Sequence, residues 1–290
     1  MTKTAANATK SGYGIKTKIT KIGLSEKSMI IDAHAHIYPD KIAEKATAAI
    51  GEFYDIKMEL PFGTAEQLIE DGKNAGVTKF IVHSVATKPA QVKAINDFII
   101  AETTAHKEFV GFMTLHEDLS EDEIAREIDR CISAGLKGIK LHPDFQKFYI
   151  DGENARKIYR AAGNRLPILF HTGDDRFEFS KPARLAAVAK EFKKTRFIGA
   201  HFGGYRCWDD VDVYKGLDNV FFDTSSSLPF ISKERAERLI SEFGAERFFF
   251  GTDFPMWDAS EELARFMRLS LTDGEREKIL YKNVTEFLGL

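Results

Sequence analysis

The 290-residue chain is 43% hydrophobic, and its acids and bases nearly cancel at a formal net charge of −3. That length suits one large core of the roughly 250-residue α/β-barrel size, and the balanced charge excludes the basic excess of a general nucleic-acid binder. Two cysteines, Cys131 and Cys207, are too few for a disulfide framework and point to a reducing, cytoplasmic setting.

The first 28 residues carry lysines at 3, 10, 16, 18, 21 and 27 against one acid, Glu26. They have no apolar block of the kind a secretory signal needs, so 1–28 is read as a basic, flexible extension and 29–290 as the folded domain. No apolar run approaches the length of a membrane span, and no membrane partner is expected. From Met29 onward, short apolar runs alternate with helical patterns, which predicts repeated βα units. Strands are expected over 29–33, 77–85, 109–115, 136–141, 167–170, 197–200, 220–222 and 248–250. Between them, Thr64 opens a helical pattern that ends near Gly76. Ser120 and Glu123 form a capping box ahead of Ile124, Ile128 and Ile132, and Gly135 stops that helix. Asp151 is the expected N-cap of a helix ending at Gly163, and a last helix over 275–288 is expected to pack on the barrel exterior. Eight strands with polar loops predict a single (β/α)8 barrel. A doubly wound open sheet would carry a glycine-rich phosphate turn after strand one, where this chain has "DAHAHIYPD".

The polar residues fall at predicted strand ends, where a parallel barrel places its chemistry. His34 and His36 end strand one, Lys140 and His142 strand four, His171 strand five, His201 strand six and Asp253 strand eight. Alternate residues on a strand share a face, so His34 and His36 can reach one cation. Imidazole plus carboxylate suits zinc, and also iron, manganese or nickel. The pair alone would fit two ordinary polar residues equally well. His171, in "PILFHTG", could instead be a core histidine, and His201, in "FIGAHFGG", a turn residue. Asp253 follows three phenylalanines at the edge of a buried strand and needs a cation or strong donors there. Agreement among five strand ends favours one metal site.

The ordered set "IIDAHAHIYP", "GIKLHPDFQ", "ILFHTG", "AHFGG", "FFFGTDFP" and the tail "KILYKNVTEFLGL" resembles the amidohydrolase superfamily. Within it, the set is similar to the amidohydrolase-2 branch of TIM-barrel metal-dependent hydrolases, which also holds aminocarboxymuconate-semialdehyde decarboxylase-like enzymes. The resemblance covers essentially 29–290. It implies one divalent ion, zinc in first place, held by His34, His36, His171 and Asp253. It further implies that His201 faces the substrate and polarises or protonates it, with Asp253 moving the proton of an activated water. Lys140, His142 and Arg206 are expected to contact the substrate. Two-metal members bridge their ions with a carbamylated lysine after strand four, so Lys140 leaves the ion count open; its plain alternative is an ion pair with Asp223. His83 and His116 read as supporting or structural, His106 as exposed. The expected activity is hydrolysis of a small amide, ester or lactone. The alternatives are non-oxidative decarboxylation of a small conjugated or aromatic acid, and a metal-binding barrel without catalysis. Partners are a small-molecule substrate and possibly a second copy in a homodimer.

Overall fold

The β-branched and aromatic runs form eight short strands in the computed structural model, which describes residues 29–290; the lysine-rich extension 1–28 lies outside the described residues. The strands are β1 (Ile31–His36), β2 (Lys79–His83), β3 (Phe109–Thr114), β4 (Gly138–Leu141), β5 (Ile168–Phe170), β6 (Phe197–Gly199), β7 (Val220–Asp223) and β8 (Phe248–Phe249). They lie in one sheet in chain order, and each neighbouring pair is parallel. Ala33 N–H donates to the Phe250 carbonyl at 2.8 Å and His36 N–H to the Phe254 carbonyl at 2.8 Å, which brings the last strand back to the first. The expected (β/α)8 barrel is the observed fold.

Two apolar layers follow from the alternation of side chains. Ile31, Ala33, Ile81, Val110, Phe112, Leu169, Ile198 and Phe249, from six different strands, form one cluster that fills the barrel. The larger cluster lies between sheet and helices and includes Phe80, Ile139, Phe170, Phe222 and Phe250. The chain end does not lie on the barrel exterior as expected. Val284, Phe287 and Leu288 join the interior cluster and close its floor. The expected single helix is also interrupted. Asp273–Glu277 is α-helical, Lys278–Lys282 is a π turn and Asn283–Leu288 is α-helical again. The Ile279 carbonyl in the π turn accepts the Phe250 N–H at 2.9 Å, so a tertiary bond to the end of β8 competes with the regular ladder.

Local signals placed two further helix starts. Thr64 caps Ala65–Ala75 by accepting the Gln67 N–H, and Gly76 ends it with φ +79°. The Ser120–Glu123 capping box opens Glu121–Ser133, whose buried face is Ile124, Ile128 and Cys131, while Ile132 is only half-buried. Asp151 is not the N-cap of Glu153–Ala162; Gly152 holds that position, and the Asp151 carboxylate is taken by Arg184 at 2.7 Å.

One irregularity positions the site. The β1–β2 register shifts between Asp32 and Ala35, a bulge that re-aims the end of β1. Asp32 pins it. Its Oδ1 accepts the N–H groups of His34 and Thr252, each at 3.0 Å, and its Oδ2 accepts the Thr252 hydroxyl at 2.6 Å. Burial pushes the Asp32 carboxyl up to about 6 against these bonds.

Candidate active site

At the C-terminal rim, His34, His36, Lys140, His142, His171, His201 and Asp253 line one small cavity. Its remaining walls are Ile50, Tyr54, Met58, Phe145, Pro255 and Met256. Polar groups thus meet an apolar wall in one enclosed place, as in a small-molecule site.

Asp253 joins the two ends of the sheet. Its Oδ1 lies 3.4 Å from His34 Nε2 and 3.4 Å from His36 Nε2. Two donors about 2.0–2.1 Å from one tetrahedral ion stand about 3.4 Å apart, the separation at which each of these two nitrogens stands from Oδ1. Oδ2 is occupied elsewhere, accepting the Ser226 hydroxyl at 2.5 Å, and Ser226 Oγ in turn accepts the Trp257 indole N–H at 2.9 Å. Burial opposes the charge on Asp253, but His34, His36 and His201 hold its carboxyl well below the usual range.

Hydrogen bonds fix which nitrogens are bare. His34 Nδ1 donates to Asp223 Oδ2 at 2.9 Å, which leaves Nε2 unprotonated, where it accepts from Lys140 Nζ at 2.9 Å. Burial disfavours the Asp223 carboxylate, yet His34, His201 and the Ser225 hydroxyl bring it down to about 2. His201 Nδ1 lies 3.0 Å from the Ser225 carbonyl, which can only accept, so the proton sits on Nδ1 and Nε2 is bare. His171 Nδ1 must then donate to His201 Nε2 at 3.0 Å, and His171 Nε2 is bare and without a hydrogen-bond partner. That atom faces Asp144 Oδ2 at 3.4 Å rather than Asp253. Burial raises the Asp144 carboxyl to about 7, although the Ser180 hydroxyl at 2.6 Å stabilises its charge.

Close packing of donors is held by strained backbone. His201 has φ +62° and Asp253 φ +61°, in the left-handed region that non-glycine residues avoid at a cost of about 1–3 kcal/mol each. His201 N–H is anchored on Asp223 Oδ1 at 3.0 Å and Asp253 N–H on the His34 carbonyl at 2.8 Å. Nearby, Gly173 at φ +90° lets the loop after β5 cross the loop after β6, because a Cβ there would meet Tyr205 N at 2.3 Å.

Lys140 is fully buried, and its Nζ lies 2.9 Å from His34 Nε2. Its expected alternative, an ion pair with Asp223, is not formed, because Asp223 is taken by His34. Among the described residues no carboxylate lies within ion-pair distance of Lys140, and burial draws the ammonium down to about 8. His142 Nδ1 accepts the Phe145 N–H at 3.3 Å, so its Nε2–H donates to Tyr54 Oη at 2.9 Å. The Tyr54 hydroxyl proton is thereby free to point into the cavity. Arg206 is not on the cavity wall. It is exposed, and its guanidinium stacks 3.8 Å from the Phe230 ring centroid.

Three contributors were not singled out from sequence as parts of the site: Tyr54, Asp144 and Ser225. Tyr54 ends the first helix, Asp40–Tyr54, far from any strand end. Arg176 ties that helix end down, donating to the Phe53 carbonyl at 2.6 Å while paired with Asp174 at 2.7 Å. Asp144 stands in "GIKLHPDFQ", two residues past His142, and that spacing was the available signal.

A parallel eight-stranded barrel with imidazoles and carboxylates converging at its C-terminal rim defines a class of barrel enzyme that works with a divalent metal. An amidohydrolase family model matches residues 31–290, and the chain belongs to that family. No curated protein matches the sequence. Among solved structures, an uncharacterized TIM-barrel protein from Bordetella bronchiseptica is similar at 16% identity, with TM-score 0.75 over 90% of this chain and 98% of that one. The 5-carboxyvanillate decarboxylase of Novosphingobium aromaticivorans, with bound manganese, is similar at 16% identity and TM-score 0.73 over 91% and 98% of the two chains. A dihydroxybenzoic acid decarboxylase from Polaromonas, with manganese and 2-nitroresorcinol, is similar at 15% identity and TM-score 0.70 over 91% and 97%. These likenesses share the fold. No helix among the described residues is long and apolar enough to cross a membrane.

Proposed function

We propose that this chain is a metal-dependent lyase that releases carbon dioxide from a small carboxylic acid. The observation that carries this reading is Lys140, a fully buried cation on the cavity wall with no carboxylate partner among the described residues. An unpaired buried charge is costly, and an anionic substrate would supply its counter-ion. The apolar wall of Ile50, Met58, Phe145 and Met256 suits a flat hydrocarbon body. That two manganese-containing barrels of this fold carry the name decarboxylase agrees with the choice.

The proposed ligands are His34, His36, His171 and Asp253. The unprotonated Nε2 of His34, which Lys140 would yield to the ion, and Oδ1 of Asp253 beside both histidines support their part. His171 offers a bare nitrogen in the same cavity. A bound divalent ion, zinc or manganese by this donor set, supplies a Lewis acid that polarises a substrate oxygen. Lys140 and the free Tyr54 hydroxyl hold the substrate carboxylate. The bond from that carboxylate to its neighbouring carbon breaks, the electron pair stays on the carbon, and one proton replaces the departing carbon dioxide. His201, fixed through Nδ1 on Ser225, would take that proton from solvent at Nε2 in exchange for the His171 Nδ1–H contact and hand it over.

Hydrolysis of a small amide, ester or lactone is the second reading. Asp253 favours it, as a carboxylate beside the proposed ligands that can take the proton of an attacking water. One assay separates the two. The protein loaded with zinc or manganese is given a panel of aromatic and conjugated acids beside lactones, esters and amides. Carbon dioxide from the acids, lost in Lys140→Met, is expected; turnover of the neutral panel alone would overturn the lyase reading.

A further inference from the structure

His83 is the one histidine of the rim cluster that nothing above employs. It ends β2 and pairs in register with His36 across the β1–β2 ladder. Its ring stands edge-on to His36, with centroids 4.4 Å apart at 86°, and edge-on to His34, at 4.9 Å and 74°. The residue has no exposed surface, and neither ring nitrogen has a hydrogen-bond partner. It is absent from the cavity wall, so a substrate does not supply that partner.

Buried imidazole nitrogens are expensive to leave unpaired. The group that would satisfy His83 must therefore sit among its neighbours. One nitrogen of His83 and one each of His34 and His36 lie mutually within 4.8 Å, a span that a shared cation closes with small side-chain movements. His36 Nδ1 is likewise without a partner, so two of these three rings have lone pairs to give. His171, in contrast, directs its bare nitrogen to Asp144.

We propose that His83 is a further ligand of the divalent ion, adding a ring nitrogen to the donors of His34 and His36 from the barrel side. This rests on the metal reading given above. A site with an added imidazole favours an ion that accepts five or six donors, such as manganese, cobalt or nickel, or five-coordinate zinc.

The test uses the full chain stripped of metal and titrated with cobalt(II), followed by its visible absorption, with competition against a chelator for affinity. His83→Phe removes both nitrogens at similar volume, and His83→Asn retains a polar side chain if the first variant fails to fold. The expected result is one cobalt bound by the parent. In the variant, affinity falls by about 100-fold or more, above the 10–100-fold typical of losing a supporting residue. The cobalt bands also change in position and intensity, and the metal-free protein melts no lower than the parent. Unchanged affinity and bands would overturn the proposal, with His83 then held only by edge-to-ring contacts. Weaker binding with unchanged bands would overturn it too, since His83 would be positioning its neighbours. A parent that binds no cobalt, zinc or manganese would instead sink the metal reading itself.

Discussion

The floor and the rim of the barrel are built on the same strands and obey opposite rules. At the floor, Ile31, Val110, Ile198 and Phe249 meet Val284, Phe287 and Leu288 in an apolar seal, with the Arg196 guanidinium over the Phe287 ring at its edge. At the rim, imidazoles, a lysine and carboxylates are buried within hydrogen-bond reach of one another, with His201 and Asp253 in strained backbone. The floor lowers the free energy of the fold; the rim raises it. This division lets one end of the barrel carry costly chemistry because the other end stabilises the whole.

Breaking the rim is expected to give the largest effect. Asp253→Asn keeps the shape but removes the charge shared by His34 and His36. Metal affinity, measured by chelator competition and elemental analysis, should fall more than about 100-fold, and turnover with it. Because His34, His36 and His201 stabilise this carboxylate in the folded state, the metal-free variant should melt slightly lower than the parent. A large drop would show that the rim also stabilises the fold and would erase the contrast.

Breaking the floor is expected to come next. Phe287→Ala removes an aromatic ring from the interior seal and should cost about 3–5 kcal/mol in denaturant unfolding. Metal affinity of the folded fraction should stay within a few-fold of the parent. Weakened metal binding would mean that packing at the floor sets the rim geometry.

The smallest effect sharpens the comparison at a third place, outside both ends. Asp71 is buried; burial and the neighbouring Asp258 carboxyl push it up to about 8. It accepts the Ala259 N–H at 3.0 Å. The folded state therefore holds a proton that the unfolded chain, with an ordinary Asp near 4, releases earlier. That contribution is fully present below about pH 4 and is lost as pH rises through about 8. Asp71→Asn keeps an acceptor for Ala259 and should gain about 2 kcal/mol over the parent on going from pH 5 to pH 6.5, read by urea unfolding at each pH. Parallel pH curves for the two proteins would show that Asp71 is ionised throughout.

Much of this was legible before any coordinates. Strand placement and helix starts at Thr64 and Ser120 are local, since side-chain period and capping act over a few residues. The rim residues His34, His36, Lys140, His142, His171, His201 and Asp253 could be named because a parallel barrel exposes strand ends on one side, and the structure brings all seven to one cavity. Arg206 failed that logic, because it follows β6 by several residues and its loop turns outward onto Phe230. The bulge at Asp32, the π turn at Ile279 and the reach of Tyr54 into the cavity were invisible, since each depends on a partner far away in the chain.

Sequence alone determined the eight βα units, the family and the set of side chains at the rim, because those follow from periodicity and from which residues end each strand. Only the tertiary structure decided which nitrogen of each histidine is bare, that Asp223 serves His34 rather than Lys140, and that the chain end seals the floor. Those outcomes rest on hydrogen bonds and packing between distant segments, such as His34 and Asp223, 189 residues apart, and no local pattern encodes such a distance.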